Sequence, residues 1–316
     1  MSIGVRPVVP SRLTSKFFGH GSSSGTKKSS RSRLGAYIAL TKPRIIELLL
    51  ITTIPTMVLA QSGWPSVALM AITMLGGTLA AGGANAINMV IDRDIDKLMV
   101  RTQGRPLVTG AITPKSALVF AITLEVVAFA VLAVGANLLA ACLALSATLF
   151  YVFVYSMWLK RSSKHNIVIG GAAGAVPVLV GWAAVTNSLS WTPVILFLVI
   201  FFWTPPHFWA LAIRHTDDYR AAGVPMLPVV ASLQETIRSM SIYSVVLLAT
   251  SLVLIPVAGM GWVYGTTALV FGVAFVIGTM RLGRDPSAAR SMRLFSFSIS
   301  YVSVLFVAVT IDVFVR

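Results

Sequence analysis

The acidic residues of this chain are few and are concentrated in two short segments. Only ten Asp and Glu occur among 316 residues. Five of them are Asp92, Asp94 and Asp96, at the end of one apolar segment, and Asp217 and Asp218, at the end of another. Carboxylates at the edge of hydrocarbon are costly unless a cation or a phosphate–metal complex uses them. These two segments are therefore the first candidates for chemistry.

The first acidic segment carries oxygen ligands at a helical spacing. Asn88, Asp92 and Asp96 are spaced i, i+4 and i+8, so on a helix they form one stripe roughly 12 Å long, from which Asp94 points away. Two carboxylates one turn apart, beside an amide oxygen, suit Mg²⁺, which takes few protein ligands and keeps waters or substrate phosphates. The alternative is a solvated helix end whose acids pair with neighbouring basic residues. A second Asp pair on an equivalent connection favours the Mg²⁺ site.

Basic residues follow these acids closely. Arg101 and Arg105 flank a Thr-Gln-Gly turn that Pro106 ends, and guanidinium groups can bind phosphate oxygens through two parallel hydrogen bonds. Lys160 and Arg161, on the next polar connection of the same side, add positive charge. These residues predict a diphosphate-binding site beside the acids. The alternative is that they only keep their loops on the inner side of a membrane.

The second acidic segment follows an apolar helix that contains two prolines. Pro205, Pro206 and His207 lie within that helix, and Asp217 and Asp218 follow its end. The order of helix end, acids and then a loop with Gly, Pro and Arg matches the first segment, so we expect Mg²⁺ ligands here too. Proline frees backbone groups that need a polar partner. His207 is therefore a proton acceptor, a haem contact or, as we favour, a structural residue hydrogen-bonded to a freed carbonyl.

Apolar helices must position these residues. Hydrophobic residues make up 56% of the chain and charged residues 11%, whereas soluble domains carry about 25% charged residues. We therefore predict an all-α, polytopic membrane protein, because a transmembrane helix needs about 20 mostly apolar residues. Nine segments qualify, at roughly 45–62, 66–91, 116–134, 138–157, 167–186, 192–213, 238–258, 262–281 and 294–315.

The basic residues indicate how these segments are oriented. The formal net charge is +15, and the part of the chain before the first segment, together with alternate connections between the nine segments, carries every Lys and Arg except Arg316. The other connections, at 61–65, 135–137, 186–191 and 258–261, contain none. The positive-inside rule then places the N-terminus in the cytoplasm and the C-terminus outside. This distribution argues against nucleic acid as a partner.

Residues 1–35 differ from the rest of the chain. They are rich in Ser, Gly and basic residues and lack the apolar core of a cleavable signal peptide. We predict a disordered basic cytoplasmic tail that contacts anionic headgroups, with an organelle transit peptide as the alternative. Residues 36–316 are predicted to form a single domain. The short tail favours the plasma membrane of a bacterium over the mitochondrial inner membrane.

The motifs resemble those of one family of membrane enzymes. Asn88-x₃-Asp92-x₃-Asp96, followed by Arg101-Thr-x-x-Arg105-Pro-Leu107, resembles the signature of the UbiA-type intramembrane prenyltransferases. Further stretches resemble the haem-farnesylating branch of that family, the haem O synthases: Thr41-Lys-Pro-Arg44, Trp158-Leu-Lys-Arg161, Asn166-Ile-Val-Ile-Gly170-Gly, Pro205-Pro-His207-Phe and Asp218-Tyr-x-x-Ala-Gly223-Val-Pro-Met-Leu-Pro228. The resemblance extends from about residue 41 to 230, and the later segments match only in hydropathy.

This resemblance implies a fold, a cofactor and a reaction. The fold is nine helices around a central cavity, with the acidic motifs at its cytoplasmic end and Mg²⁺ as the cofactor. In the reaction, farnesyl diphosphate alkylates a vinyl group of haem b and water adds, which gives haem O for terminal oxidase assembly. The implied partners are the lipid bilayer, the two substrates, and haem A synthase or oxidase assembly factors.

The resemblance also implies roles for individual residues. Asn88, Asp92, Asp96 and Asp218 are the implied catalytic residues, and Mg²⁺ is bound by Asp92, Asp96, Asp217 and Asp218, with Asp218 preferred because it matches an Asp-Tyr pair. The implied diphosphate-binding residues are Arg101, Arg105, Lys160 and Arg161. Candidates for the haem side or for proton handling are His207, Lys42 and Arg44. Aromatic candidates for stabilising an allylic cation are Phe150, Tyr151, Phe153, Tyr155, Trp182, Phe201, Phe202 and Trp203.

Two other functions are weighed against this one. The nearest is a sibling prenyltransferase that acts on an aromatic quinone precursor. The other, from a different class, is an ion-coupled secondary transporter whose carboxylates bind the coupling ion. Transporter sites tend to lie near the bilayer midplane, whereas these acids are predicted at the cytoplasmic helix ends. The sequence therefore favours the enzyme.

Overall fold

The structure of the chain is a computed structural model that describes residues 32–316, apart from the side chains of residues 44, 45 and 47–50. Most of the predicted tail therefore lies outside the described residues. Residues Ser32–Arg316 form one compact unit. The described residues contain helices and no strand, which confirms the all-α prediction.

The helices follow one another with short connections. The α-helices of the described part are α1 (Arg33–Thr41), α2 (Pro43–Gln61), α3 (Val67–Ile91), α4 (Arg93–Leu98), α5 (Pro114–Gly135), α6 (Leu138–Leu149), α7 (Lys160–Ser162), α8 (Asn166–Thr186), α9 (Trp191–Arg214), α10 (Thr216–Ala221), α11 (Leu227–Val230), α12 (Leu233–Ala258), α13 (Trp262–Arg284) and α14 (Ala288–Val315). A 3₁₀ turn, Val100–Thr102, follows α4, and a π-helix, Phe150–Leu159, joins α6 to α7 without a break.

The chain is a multi-pass membrane protein. By length and composition, eight helices of the described part can cross a membrane. They are α3, α5, α8, α9, α12, α13, α14 and the continuous helix Leu138–Ser162. The predicted segment 45–62 falls on α2, of which Ile51–Gln61 is an apolar helix shorter than these eight.

Two of the long helices begin several residues before the apolar segments that predicted them. The Ser232 hydroxyl accepts a hydrogen bond from the backbone N–H of Glu235, and the Ser287 hydroxyl accepts one from Arg290. Each serine satisfies a backbone donor that the first turn of a helix leaves free. Helices α12 and α14 therefore extend past their apolar segments into polar sequence.

Small residues allow the helices that carry the first acidic segment to pack closely. A Cβ atom added to Gly76 of α3 would lie 2.5 Å from Leu132 Cγ of α5, and one added to Gly83 would lie 2.6 Å from Glu125 Oε1. Close backbone approach at small residues drives helix association in lipid. The glycine-rich part of α3 is thus held firmly against α5 just before the acidic stripe begins.

The other end of the bundle is fastened by an acid that the sequence analysis did not single out. Asp312, buried in α14, accepts hydrogen bonds from the backbone N–H groups of Gly261 (2.5 Å) and Tyr264 (3.1 Å) at the start of α13. Arg316 donates to the Ala258 carbonyl at 2.7 Å. The end of α14 therefore caps both helices that meet at the α12–α13 turn.

Candidate functional site

The acidic stripe spans a small break in the helix. Asp92, with φ −85° and ψ 1°, separates α3 from α4. The helical hydrogen bonds continue across it, because Asp92 N donates to Asn88 O (2.9 Å) and Asp96 N donates to Asp92 O (2.8 Å). Asn88, Asp92 and Asp96 are buried, whereas the side chain of Asp94 is 60% exposed. The three residues therefore share one buried face, and Asp94 points away from it.

Cations from distant parts of the chain reach this face. Lys160, at the start of α7, forms an ion pair with Asp92 Oδ2. Arg105 Nη1 lies 2.5 Å from Asp96 Oδ2. Asn88 Nδ2 donates to Asp92 Oδ2 (2.8 Å), and Lys42 Nζ donates to Asn88 Oδ1 (2.9 Å). Three separate connections thus supply the positive charge around the stripe.

One oxygen of each aspartate has no partner. Asp92 Oδ1 and Asp96 Oδ1 are buried and accept no hydrogen bond. Leaving a charged acceptor buried and unsatisfied costs about 1–3 kcal/mol or more. A divalent cation with oxygen ligands would satisfy both atoms, so the donor set fits Mg²⁺. Residues 32–316 contain no group of three or more His, Cys, Asp and Glu that could hold a metal, so other ligands must come from water or substrate.

The cluster carries more positive than negative charge. Lys42, Lys160 and Arg105 surround the two carboxylates of Asp92 and Asp96. Burial, together with the charges of Arg105 and Lys160, lowers the pKa of Lys42 to about 7. A buried cluster of side chains with surplus positive charge suits an anion with several oxygens, such as a diphosphate.

The π-helix brings further polar groups to the stripe. Ser156 Oγ donates to the Tyr151 carbonyl five residues earlier (2.9 Å) and accepts from Asn88 Nδ2 (3.0 Å). The rings of Tyr151 and Tyr155 stack with centroids 5.3 Å apart. π-helical turns occur frequently at functional sites. Ser156 is not among the predicted site residues, because no residue pattern predicts a π-helix.

The second acidic segment contacts the loop that follows the first. Asp218 Oδ1 accepts a hydrogen bond from the backbone N–H of Val100 (3.1 Å). The Arg101 guanidinium donates to Tyr219 Oη (3.4 Å) and lies 5.9 Å from the centroid of that ring. The structure therefore brings Asp218, Tyr219 and Arg101 together next to the end of α4.

Both acidic segments rest on one hydrophobic cluster, which we call the acid-end cluster. Its buried members are Ile95, Met99, Ile167, Ala212, Tyr219, Ala222, Val224 and Met226, and Tyr155 packs against it. These residues come from α4 and the turn after it, from the start of α8, and from α9, α10 and the loop that follows. The cluster fixes the relative positions of the connections that carry the acids and the cations.

Two residues of the predicted site lie away from it. The Asp217 side chain is 98% exposed and pairs with Arg220 at 2.7 Å. Arg161 makes two hydrogen bonds of 2.7 Å to Asp94, on the exposed side of α4. The Arg161 guanidinium holds the pKa of the Asp94 carboxyl well below its usual range. Neither Asp217 nor Arg161 contacts the buried stripe.

Two of the residues predicted for the haem side, His207 and Lys42, have different partners. His207 Nδ1 lies 2.7 Å from Ser298 Oγ of α14, and its ring stacks between Trp203 (4.1 Å) and Phe295 (4.5 Å). The side-chain partner of His207 is therefore a hydroxyl and not a freed carbonyl. Lys42 contacts Asn88 of the acidic stripe. The side chain of Arg44 lies outside the described residues.

The aromatic candidates also divide by position. Phe153 is 57% exposed on the π-helix. Phe201 and Phe202 pack against the core of α9, α12 and α14. Trp203 belongs to the same core and donates to the Ser298 carbonyl at 2.8 Å. Tyr151 and Tyr155 lie on the π-helix whose Ser156 contacts Asn88 of the acidic stripe.

An all-helical membrane bundle with a buried carboxylate stripe next to Lys and Arg side chains is typical of an intramembrane prenyltransferase. The chain belongs to the UbiA prenyltransferase family, whose model matches residues 49–303. Protoheme IX farnesyltransferase of Streptomyces avermitilis is 54% identical over 301 residues, which cover 93% of this chain and 99% of that protein.

Solved structures have the same fold. Digeranylgeranylglyceryl phosphate synthase superposes with a TM-score of 0.74 at 17% identity, covering 89% of this chain and 98% of that chain. A UbiA homologue from Archaeoglobus fulgidus, bound to DMAPP and Mg²⁺, superposes with a TM-score of 0.62 at 18% identity, covering 87% and 99%. The fold of this chain is therefore the fold of the family.

Proposed function

We propose that the chain is a Mg²⁺-dependent enzyme that transfers the farnesyl group of farnesyl diphosphate to a vinyl group of haem b, with addition of water, to give haem O. The observation that carries this proposal is the pair of buried, unpartnered oxygens on Asp92 and Asp96 inside a ring of cations. The choice of haem as acceptor rests on the relative from Streptomyces avermitilis, whose name states that activity.

The charged residues hold and release the diphosphate. Arg105 and Lys160 form ion pairs with acids of the stripe, and Lys42 donates a hydrogen bond to Asn88. All three cations can therefore bind phosphate oxygens. Bound Mg²⁺ would neutralise the diphosphate and make it a better leaving group. Asp92 and Asp96 would hold the metal through their unpartnered oxygens, and water or the diphosphate would supply its other ligands. Asp218, in the second acidic segment, would hold a second Mg²⁺.

The transfer breaks one C–O bond of farnesyl diphosphate and forms one C–C bond to haem. The allylic C–O bond of farnesyl diphosphate breaks, and the diphosphate leaves with the electron pair. The allylic carbon forms a C–C bond with the terminal vinyl carbon of haem, and the cation left beside the porphyrin ring captures water, which then loses a proton. The stacked rings of Tyr151 and Tyr155 lie on the acid side of the π-helix, where their faces would stabilise the allylic cation.

We also infer nine membrane-spanning helices, with the N-terminus in the cytoplasm. Helix α2 would provide the crossing additional to the eight long apolar helices. Trp64, Trp191 and Trp262 lie at the helix ends predicted to face outward, and each is more than 60% exposed. Tryptophan is enriched at membrane–water interfaces, which supports this assignment.

The membrane would be a bacterial plasma membrane. Haem b and haem O are apolar bodies with anionic ends, so both suit transfer within the bilayer. The partners that we propose are haem A synthase or oxidase assembly factors, which would receive the product there.

The test is a product assay with two acceptors. The purified protein, in detergent or nanodiscs, is incubated with farnesyl diphosphate, Mg²⁺ and either haem b or 4-hydroxybenzoate. We expect diphosphate release and the mass of haem O, loss of both with EDTA, and recovery with added Mg²⁺. A product from the aromatic acid alone would make the protein a sibling prenyltransferase. Ion-coupled flux into liposomes without diphosphate release would make it a transporter.

A further inference from the structure

Asn166 is a buried amide with no partner in the fold. It is 0% exposed, and neither Asn166 Nδ2 nor Asn166 Oδ1 makes a hydrogen bond within the described residues. An unsatisfied buried amide normally costs the protein stability. The pairing of the acids with Lys160, Arg105 and Asn88 leaves this cost unexplained, because none of those contacts involves Asn166.

Asn166 lies where two kinds of donor meet. It opens α8, a helix of 21 residues whose N-terminus has no side-chain cap. The free N–H groups and the dipole of such a terminus favour an anion. Lys160, the partner of Asp92, lies on the connection that leads into α8.

The neighbours of Asn166 show that it faces the acid end. The next residue, Ile167, belongs to the acid-end cluster, together with Ile95 and Tyr219 from the two acidic segments. Gly170, one turn further and on the same face of α8, contacts the Tyr155 ring so closely that an added Cβ would lie 2.2 Å from it. Asn166 is therefore on the face of α8 that packs against the π-helix and its tyrosine pair.

We infer that Asn166 is a further substrate-binding residue, whose amide, with the uncapped N-terminus of α8, binds an oxygen of the prenyl diphosphate. This inference rests on the proposed function. The cost of the unpartnered amide in the free protein is then recovered when substrate binds. The arrangement is preorganised, because the site keeps its polar groups free of internal partners so that the ligand can use them.

Replacing Asn166 should weaken substrate binding without lowering the stability of the protein. Asn166→Leu keeps the approximate volume and removes an amide that has no partner, so the melting temperature should stay the same or rise. The Michaelis constant for farnesyl diphosphate should rise about 10- to 100-fold, which is the effect of losing a hydrogen bond to a charged group. The Michaelis constant for haem should not change. Asn166→Ala should raise the same constant without adding a bulky apolar group.

Asn137→Leu is the matched control. Asn137 also lies at the start of a helix, but its Nδ2 donates to the Ala183 carbonyl (2.7 Å) and its Oδ1 accepts from the Ala140 N–H (2.9 Å). This variant should lower the melting temperature and leave both Michaelis constants unchanged.

The outcomes are distinct. An unchanged Michaelis constant for farnesyl diphosphate in Asn166→Leu and Asn166→Ala would overturn the inference, and so would a marked fall in the melting temperature of Asn166→Leu, since it would show that the amide is paired. A change confined to haem would assign the amide to the acceptor and not to the diphosphate. Failure of the wild-type protein to release diphosphate would instead overturn the proposed function.

Discussion

At the scale of single residues, Asp92 and Asp96 are each half satisfied. One oxygen of each carboxylate has a cation, Lys160 or Arg105, and the other oxygen is buried with no partner. A purely structural ion pair gains from filling every acceptor position. Here two acids one turn apart each keep one buried carboxylate oxygen without a partner. This supports the proposal that both are metal ligands.

Asp92→Asn and Asp96→Asn should therefore abolish turnover without unfolding the bundle. Each variant removes one negative charge from the proposed Mg²⁺ site. We expect kcat to fall about 10³-fold, because neutralisation of the diphosphate by the metal contributes several kcal/mol. The measurement is the rate of diphosphate release at saturating Mg²⁺, with circular dichroism to check folding. Asp94→Asn is the control, because the Asp94 side chain is exposed and turned away. Near-normal activity of both stripe variants would show that the stripe does not hold the metal.

Replacing Arg105 should weaken substrate binding more than replacing Arg161, although both arginines lie at the same end of the bundle. Arg105→Ala removes a cation that contacts the buried Asp96, so we expect the Michaelis constant for farnesyl diphosphate to rise about 10-fold or more. Arg161→Ala removes a cation whose hydrogen bonds to Asp94 lie on the exposed side, and an effect below about 3-fold is expected. Steady-state kinetics on both variants decides this. Equal effects would mean that the exposed pair takes part in binding.

At the scale of elements, the π-helix and α8 hold each other in register. The extra residue per turn in Phe150–Leu159 lets Ser156 reach Asn88 while Tyr155 packs on Gly170. Only a glycine leaves room for that ring. The position of the tyrosine pair therefore depends on one missing side chain in a neighbouring helix.

Gly170→Ala should displace Tyr155 and reduce kcat by about 10-fold, because its Cβ would lie 2.2 Å from the ring. Gly174→Ala, one turn along the same helix, is the matched control, since nothing lies within 4 Å of its added Cβ. The control should keep full activity and gain up to about 1 kcal/mol of stability from the better helix former. The rate of haem O formation and the melting temperature are compared. Full activity of Gly170→Ala would show that the tyrosine pair is not needed in this position.

At the scale of the whole molecule, the acidic stripe and its cations lie at one end of the bundle, which we call the chemical side. All of the acid–cation contacts described above lie at the ends of α3, α7 and α9, whereas Asp312 and Arg316 fasten the opposite end with backbone hydrogen bonds. The distribution of Lys and Arg predicts that the chemical side is cytoplasmic.

Cysteine labelling tests this orientation. In a Cys142→Ala background, Ser188→Cys places a thiol on the α8–α9 turn and Gln234→Cys places one at the start of α12, and both positions are exposed. A membrane-impermeant maleimide should label intact cells only at position 188, and position 234 only after the cells are lysed. The reverse pattern would invert the proposed topology.

The sequence by itself determined the features that depend on local spacing. The acidic stripe follows from a repeat of four residues, the membrane segments follow from runs of apolar residues, and the predicted orientation follows from the count of Lys and Arg on each connection. Each of these is visible within about one helix length. The predicted helices therefore agree with the structure except at ends such as those of α12 and α14, where a serine cap extends the helix.

Only the tertiary structure decided which groups meet. Lys160 lies 68 positions from Asp92, and Lys42 lies 46 positions from Asn88, so no local pattern pairs them. The same holds for the exposure of Asp217, the Ser298 partner of His207 and the unpartnered amide of Asn166. The physical reason is that these contacts are set by how closely whole helices pack, and close packing depends on glycines and buried side chains that are far apart in the chain.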